Sequence, residues 1–276
     1  MTSTAEPART QAVSADGTVI GYVTGGQGPP LVLVHGMVSD HHRWSPLLPY
    51  LEPHVTTHAL DRRGRGLSGD APGYAVAREF EDVAAVIDAV AQTSGRAVDV
   101  YGHSSGGLFA FGAAALTPHV RKLVLYEGWP ATHPPDDLYP PGFAERLDAL
   151  LAEGDREAVA ETFFREVLDM TPEQFEWYRS QPSWQHRVAA AHTIPREIRT
   201  EHDVGWDPQM AAAITVPVLL VVGEQSPDAL RGDPETVAAA LPAARLVVVP
   251  GQQHVADVVA PAVFAEILLN FLSEER

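Results

Sequence analysis

Residues 99–110 read DVYGHSSGGLFA, and the pentad GHSSG at 102–106 puts Ser104 at the centre of a G-x-S-x-G pattern. A serine so placed becomes a nucleophile when a sharp strand-to-helix turn raises its hydroxyl above a sheet. The flanking residues supply that context. VDVYG (98–102) reads as a strand, and SGGLFAFGAAALTP (105–118) reads as a helix stopped near Pro118. Glycines at 102 and 106 keep side chains out of a turn too tight for them. Ser105 falls on the first helical turn, so Ser104 is the expected attacking residue.

A serine hydroxyl needs a base, and histidine oriented by a carboxylate is the usual one. Of the twelve histidines, His254 in GQQHVAD is placed best. It follows a strand-like run ending at Pro250 and precedes a helical stretch, which puts it at the same sheet edge as Ser104. His41 and His42 follow a turn, and His186, His192 and His202 lie in a long segment between strands. No histidine pair has metal-ligand spacing with acidic neighbours, and cysteine is absent, so no metal site is expected. The single lysine, Lys122, sits in a strand-like run and is a poor Schiff-base candidate. No cofactor is implied.

The elements that must position these residues alternate. Strand-like runs occur at 31–36, 55–61, 98–102, 120–127, 216–223 and 244–251, with helical stretches at 79–94, 105–118, 233–241 and 261–273. That alternation predicts an α/β fold with a mostly parallel sheet covered on both faces. The stretch 129–212 breaks the rhythm. It opens with the proline-rich WPATHPPDDLYPPG, then shows helical periodicity and dense aromatics without a strand signal. Residues 1–128 and 213–276 are therefore expected to form one core domain, with 129–212 a mostly helical insertion between the strands at 120–127 and 216–223.

Composition narrows the function classes. A formal net charge of −17 over 276 residues disfavours nucleic acid and anionic membranes as partners. The N-terminal MTSTAEPARTQAV lacks the apolar run of a secretory signal, and no stretch of 18 apolar residues occurs, so a cytoplasmic enzyme is expected.

Four motifs in order, LVLVHG (31–36) with Trp44 downstream, DRRGRGLSG (61–69), GHSSGG (102–107) and GQQHV (251–255), resemble the α/β-hydrolase superfamily over nearly the whole chain. The resemblance implies an eight-stranded, mostly parallel sheet, a helical cap, and an oxyanion hole from the backbone N–H groups of Met37 and Ser105. Serine at the elbow, where epoxide hydrolases and haloalkane dehalogenases carry aspartate, implies acyl transfer.

The superfamily usually takes its triad acid from a G-x-x-D pattern after the seventh strand. Here that stretch is GEQSPD (223–228), and Ser226 stands at the acid position. Two candidates remain. Glu127 closes LVLYEG at the end of the preceding strand, the place used by members similar to zearalenone-cleaving lactonases, and is the favoured one. Asp228 is the alternative.

Trp129, Trp184, Phe109 and Tyr178 are the candidates to line an apolar pocket, with Met37, Phe163, Phe164, Trp177 and Trp206 as further ones. No basic cluster surrounds the motifs, so a hydrophobic ester or lactone is expected rather than a highly charged substrate. Asp61, Arg62, Arg63 and Arg65 read as loop-fixing residues. A non-hydrolytic enzyme on the same scaffold (a perhydrolase, haloperoxidase, lyase or acyltransferase) and a ligand-binding protein without turnover are the competing readings. Nothing in the chain decides between monomer and homodimer.

Overall fold

The computed structural model describes residues 8–132, 139–168 and 170–274. Eight strands, β1 (Ala8–Val13), β2 (Val19–Gly26), β3 (Pro30–Val34), β4 (Thr56–Leu60), β5 (Val98–His103), β6 (Val120–Tyr126), β7 (Val218–Gly223) and β8 (Ala244–Val249), form one sheet in the order β1-β2-β4-β3-β5-β6-β7-β8. β2 pairs antiparallel with β1 and with β4, and every other pairing is parallel. The α/β class and the eight-stranded, mostly parallel sheet agree with the sequence reading.

The sequence explains why the central strands are parallel. β3, β5 and β7 are buried at every position, which requires cover on both faces. One face is covered by the helices Val76–Ser94 and Ser105–Leu116. The first presents Val76, Phe80, Val83, Ile87 and Val90 as a helical stripe and stops at Gly95, held at φ 66°. The other face is covered by helix Pro261–Ser273, whose Phe264, Leu268 and Phe271 pack with Trp44.

The N-terminal hairpin β1–β2 was not among the strands expected from apolar runs. Its burial explains why. β1 is exposed at five of its six positions, as an edge strand is, and β2 carries three glycines.

Between β6 and β7 the chain forms helices Phe143–Ala152, Arg156–Glu166, Pro172–Arg179, Trp184–Ala190, Ile194–Thr200 and Pro208–Ala213. The first five share a separate apolar cluster that includes Phe143, Leu147, Phe163, Phe164, Phe175, Trp184 and Ile194. The last departs from the others, since Ala211 packs into the main core. Of the proline-rich stretch expected at 129–142, residues 133–138 lie outside the described residues. Among the described residues no helix is long and apolar enough to cross a membrane.

Buried charges tie the inserted helices to the sheet. Arg62, on the loop after β4, donates to Glu79 at 2.7 and 3.1 Å and to Glu197 of helix Ile194–Thr200 at 2.7 Å. Arg65 pairs with the same Glu197 and donates to Thr193 at 2.6 Å. Arg63 grips Asp82 through two bonds of 2.6 and 2.7 Å. Asp61 accepts the backbone N–H groups of His41 and Leu67, each at 2.7 Å. The DRRGRGLSG segment is thus a knot of paired buried charge, although the Nε and Nη1 groups of Arg65 are buried without a partner.

Burial alone would push the Glu197 carboxyl up, but the Arg62 and Arg65 guanidiniums outweigh it and hold the group at about 2. Its folded value lies below its unfolded one. The stabilisation is therefore complete above the ordinary glutamate range and is lost as pH falls toward 2. Glu197→Gln should destabilise the protein by about 3–5 kcal/mol and flatten the fall in stability between pH 4.5 and 2. Urea denaturation across that pH range measures both. A variant as stable as wild type at pH 7 would show that the buried network does not anchor the inserted helices.

Candidate active site

Parallel strands deliver their carboxyl ends to one edge, and the loops there gather the candidate residues. Met37 follows β3, Ser104 follows β5 and Glu127 follows β6, three strands adjacent in the sheet. His254 follows β8. Among the described residues, three non-glycine positions have positive φ: Val38 at 52°, Ser104 at 56° and Glu127 at 45°. All three stand on these loops. Strained backbone of this kind persists only where surrounding structure over-determines it, and it clusters at functional sites.

The elbow is locked by close approach. A Cβ at Gly106 would lie 2.3 Å from the Val34 carbonyl oxygen, so only glycine lets β3 and the start of the helix meet. A Cβ at Gly128 would lie 1.8 Å from the carbonyl oxygen of Ser104, so the strand end carrying Glu127 packs directly on the nucleophile's backbone.

His254 lies two strands away from Glu127 in the sheet order, and its loop must fold back over β7 to reach it. Gln252 does this. Its carbonyl accepts the Gln225 N–H at 2.8 Å, and it crosses Gly223 so closely that a Cβ there would be 2.6 Å away. Two residues then hold the loop. The Tyr126 hydroxyl donates to the Gln253 carbonyl and accepts the Ala256 N–H at 3.1 Å. His103 Nε2 donates to the His254 carbonyl at 2.6 Å. His103 directly precedes Ser104, and Tyr126 directly precedes Glu127. The residues that position the histidine loop are thus the chain neighbours of Ser104 and Glu127.

Glu127 reaches across the end of β7. Its Oε1 accepts the Gly223 N–H at 2.7 Å, and its Oε2 lies 2.6 Å from His254 Nδ1. Both side chains are buried. Asp228 is exposed and makes no hydrogen bond to His254, and the Ser226 hydroxyl is buried without a partner. The carboxylate from β6 therefore occupies the place over β7 that an aspartate after β7 would fill. Ser104 lines the same cavity as His254, with no hydrogen bond from its hydroxyl to the ring. Such bonds are often open until substrate arrives.

The cavity has a volume of about 400 Å³. Met37 and Ser105 are in its wall, and the Ser105 N–H stands in the first turn of its helix, where no intrahelical acceptor exists. Trp129 and Tyr178 line it, as do Phe163 and Phe164. Trp177, Trp206, Phe109 and Trp184 do not, contrary to expectation: Trp177 is exposed, and Trp206 packs against Phe111. Phe109 is buried in the main core beneath the Arg62 guanidinium, 4.2 Å from its ring centroid. Trp184 packs between Phe164 and Phe175 inside the inserted helices, and its indole N–H reaches Glu157 at 3.3 Å. Both were named for aromatic character, and both satisfy it in a core.

Several polar residues at the site gave no sequence signal. Arg43, in the cavity wall, is neutralised by Asp257 at 2.7 and 2.8 Å, and Asp257 also accepts from Tyr101 at 3.0 Å. Burial pushes His103 and His35 well below the ordinary histidine range, so both rings are neutral at pH 7. His35 Nε2 accepts the Arg62 N–H at 3.3 Å, which makes the histidine of the HG dipeptide a loop anchor. Away from this cavity, Asp40, His41 and His42 bring one potential ligand atom each within 4.8 Å of one another. Asp40 is at the same time the N-cap of the turn that carries both histidines.

Tyr126→Phe removes the hydroxyl that satisfies Gln253 and Ala256. Two buried backbone groups lose their partner, at a cost of about 1–3 kcal/mol. A His254 loop released by even an ångström should lower kcat roughly tenfold or more. Denaturant midpoints and steady-state kinetics on one ester substrate check the two effects. Unchanged kcat with lowered stability would show that Tyr126 supports the fold and not the histidine.

Comparison with known proteins agrees with this architecture. Residues 31–267 match the model of the Alpha/beta hydrolase family. A 2-(acetamidomethylene)succinate hydrolase from Mesorhizobium japonicum is 28% identical over 264 residues, covering 90% of this chain and 89% of that protein. An N-formylmaleamate deformylase from Pseudomonas putida is 30% identical over 221 residues, covering 76% of each chain. The crystal structure of an alpha/beta hydrolase from Sphaerobacter thermophilus superposes with a TM-score of 0.80 at 38% identity, covering 96% of this chain and all of that one. A sheet of this order, a serine on the turn after β5 and a family match spanning β3 to the last helix have one common explanation: the chain belongs to the alpha/beta hydrolase family.

Proposed function

We propose that the protein is a serine hydrolase that cleaves a carboxylic ester or lactone of a small, largely apolar molecule through an acyl-enzyme. The observation that carries the reading is the 2.6 Å contact between His254 Nδ1 and the buried Glu127 carboxylate, on the cavity that Ser104 lines. The carboxylate holds the proton on Nδ1 and leaves Nε2 as the base.

Ser104 Oγ attacks the carbonyl carbon while His254 Nε2 takes the hydroxyl proton. The N–H groups of Met37 and Ser105 receive the negative charge that develops on the carbonyl oxygen, a contribution worth roughly 10²–10³ in rate for each donor. The tetrahedral species collapses, and His254 returns the proton to the leaving alkoxide. Water then repeats the sequence on the acyl-enzyme and releases the acid. Met37, Leu108, Phe163, Phe164 and Val167 supply the apolar wall.

A second reading keeps this machinery and changes the bond cleaved. The two long-range relatives are named as a hydrolase of an acetamido compound and as a deformylase of an N-formyl compound. That favours a C–N bond, with His254 protonating nitrogen on collapse. Paired ester and amide substrates of one acyl group separate the two readings.

Intact-mass labelling with a fluorophosphonate tests the nucleophile. Wild type should gain one adduct and Ser104→Ala none. Glu127→Gln should label slower by roughly 10³–10⁴, because the histidine loses its tautomeric control. Wild type without an adduct would remove the serine-hydrolase reading. Glu127→Gln labelling at the wild-type rate would return the acid role to Asp228.

A further inference from the structure

Among the described residues, five arginine side chains are buried: Arg43, Arg62, Arg63, Arg65 and Arg187. Four are paired with carboxylates. Arg43 has Asp257, Arg62 has Glu79 and Glu197, Arg63 has Asp82 and Asp16, and Arg65 has Glu197. Arg187, on helix Trp184–Ala190, has no carboxylate. It donates only to neutral oxygens: the Val38 carbonyl at 3.2 Å, Ser39 Oγ at 2.9 Å and the Tyr178 hydroxyl at 3.2 Å. Its Nε is buried without any partner.

Asp40 and Asp257 act on Arg187 only through space, and each is committed elsewhere. Asp40 holds His42 and His186, and Asp257 holds Arg43 and Tyr101. A buried cation without a counter-ion is costly, and natural structures pair such groups. In Arg62 and Arg63 the Nε and Nη2 groups together grip one carboxylate through two bonds. In Arg187 the same two nitrogens make one bond, to a tyrosine hydroxyl. The edge that grips a carboxylate in Arg62 and Arg63 thus grips none in Arg187: its Nε has no partner, and its Nη2 is held only by the tyrosine hydroxyl.

The position of this guanidinium gives it meaning. Arg187, Ser39 and Tyr178 all line the cavity that holds Ser104. The guanidinium is stacked 4.6 Å from the Tyr178 ring centroid, which fixes its plane. The acidic side chains of the same wall are occupied or peripheral. Glu127 is bound by His254 and Gly223, Glu201 by Tyr139, Asp233 accepts the Thr236 N–H at 3.1 Å, and Asp228 is exposed.

We propose that Arg187 receives a carboxylate of the substrate, so that the compound cleaved at Ser104 is a short-chain ester bearing one negative charge. The inference rests on the reading of Ser104 as the nucleophile. Arg187 is anchored to Val38 and Ser39, the two residues after Met37. Two residues of chain span about 7 Å at most, so the carboxylate and the scissile carbonyl are separated by only a few carbons. A half-ester of a four- or five-carbon dicarboxylic acid fits that spacing. Its methylenes meet the aromatic wall, its free carboxylate meets Arg187, and its ester carbonyl meets Ser104. This narrows the expectation of a hydrophobic substrate without high charge, which rested on the absence of a basic cluster around the motifs. Arg187 is far from all of them in sequence.

The test compares monomethyl glutarate with methyl pentanoate, which share a five-carbon acyl chain and differ in the terminal carboxylate. Wild type should favour monomethyl glutarate in kcat/KM by at least tenfold. In Arg187→Met that preference should fall at least tenfold, mainly through KM. A merely structural Arg187 would lower both substrates together and leave the ratio intact, and that result overturns the proposal. Should Arg187→Met not fold, Arg187→Gln keeps a donor for Val38 and Ser39 and is held to the same ratio. Calorimetry on Ser104→Ala with glutarate and with pentanoate separates this proposal from the hydrolase reading. Tighter binding of glutarate supports the subsite even if wild type turns over neither ester. Equal binding, or none by glutarate, overturns it even if both esters are hydrolysed.

Discussion

Glu127 and His254 meet at 2.6 Å across the end of a strand to which neither belongs, and much of the surrounding packing keeps them there. Glu127 leaves β6 with positive φ, passes over β7 and takes the Gly223 N–H on its other oxygen. His254 arrives from the opposite side on a loop held by Tyr126 and His103. A carboxylate buried this way needs its hydrogen bonds satisfied, and here both oxygens are. The consequence is a coupled unit. Displacing the acid disturbs the strand end that packs on Ser104, and displacing the nucleophile disturbs His103, which holds the histidine.

Electrostatic balance organises the layer above. The loop after β4 buries three arginines, and each finds carboxylates on the helix Val76–Ser94, on the inserted helices or on the β1–β2 turn. Arg62 carries the linkage furthest, since it touches both Glu79 and Glu197 and lies 3.5 Å from Ser105 Oγ. Arg187 is the exception to this balance, and it is also the buried arginine that reaches the cavity without a counter-ion.

The glycines and prolines, the apolar runs and the G-x-S-x-G pattern made most of the fold legible. Ser104 and His254 could be found because their motifs are local: a strand, a turn and a helix in one case, a strand and a loop in the other. Glu127 could be weighed against Asp228 because Ser226 cannot be an acid. The strands β1 and β2 carry no apolar run that marks them, β1 because it is an exposed edge strand and β2 because three of its eight residues are glycine, although Asp16-Gly17 between them is a hairpin signal. Aromatic pocket residues could not be separated from aromatic core residues, as Phe109 and Trp184 show, since the same ring satisfies either environment.

The sequence by itself determined the order of the elements and marked Ser104 and His254 as residues on loops at one sheet edge, because burial periodicity and turn chemistry act over a few residues. Only the tertiary structure decided which carboxylate meets His254, which aromatics face the cavity and which arginine is left unpaired. Those outcomes depend on distances between residues tens of positions apart. They are set by strand order, by the fold-back of the 250–255 loop over β7 and by the docking of the inserted helices. No local pattern carries that information.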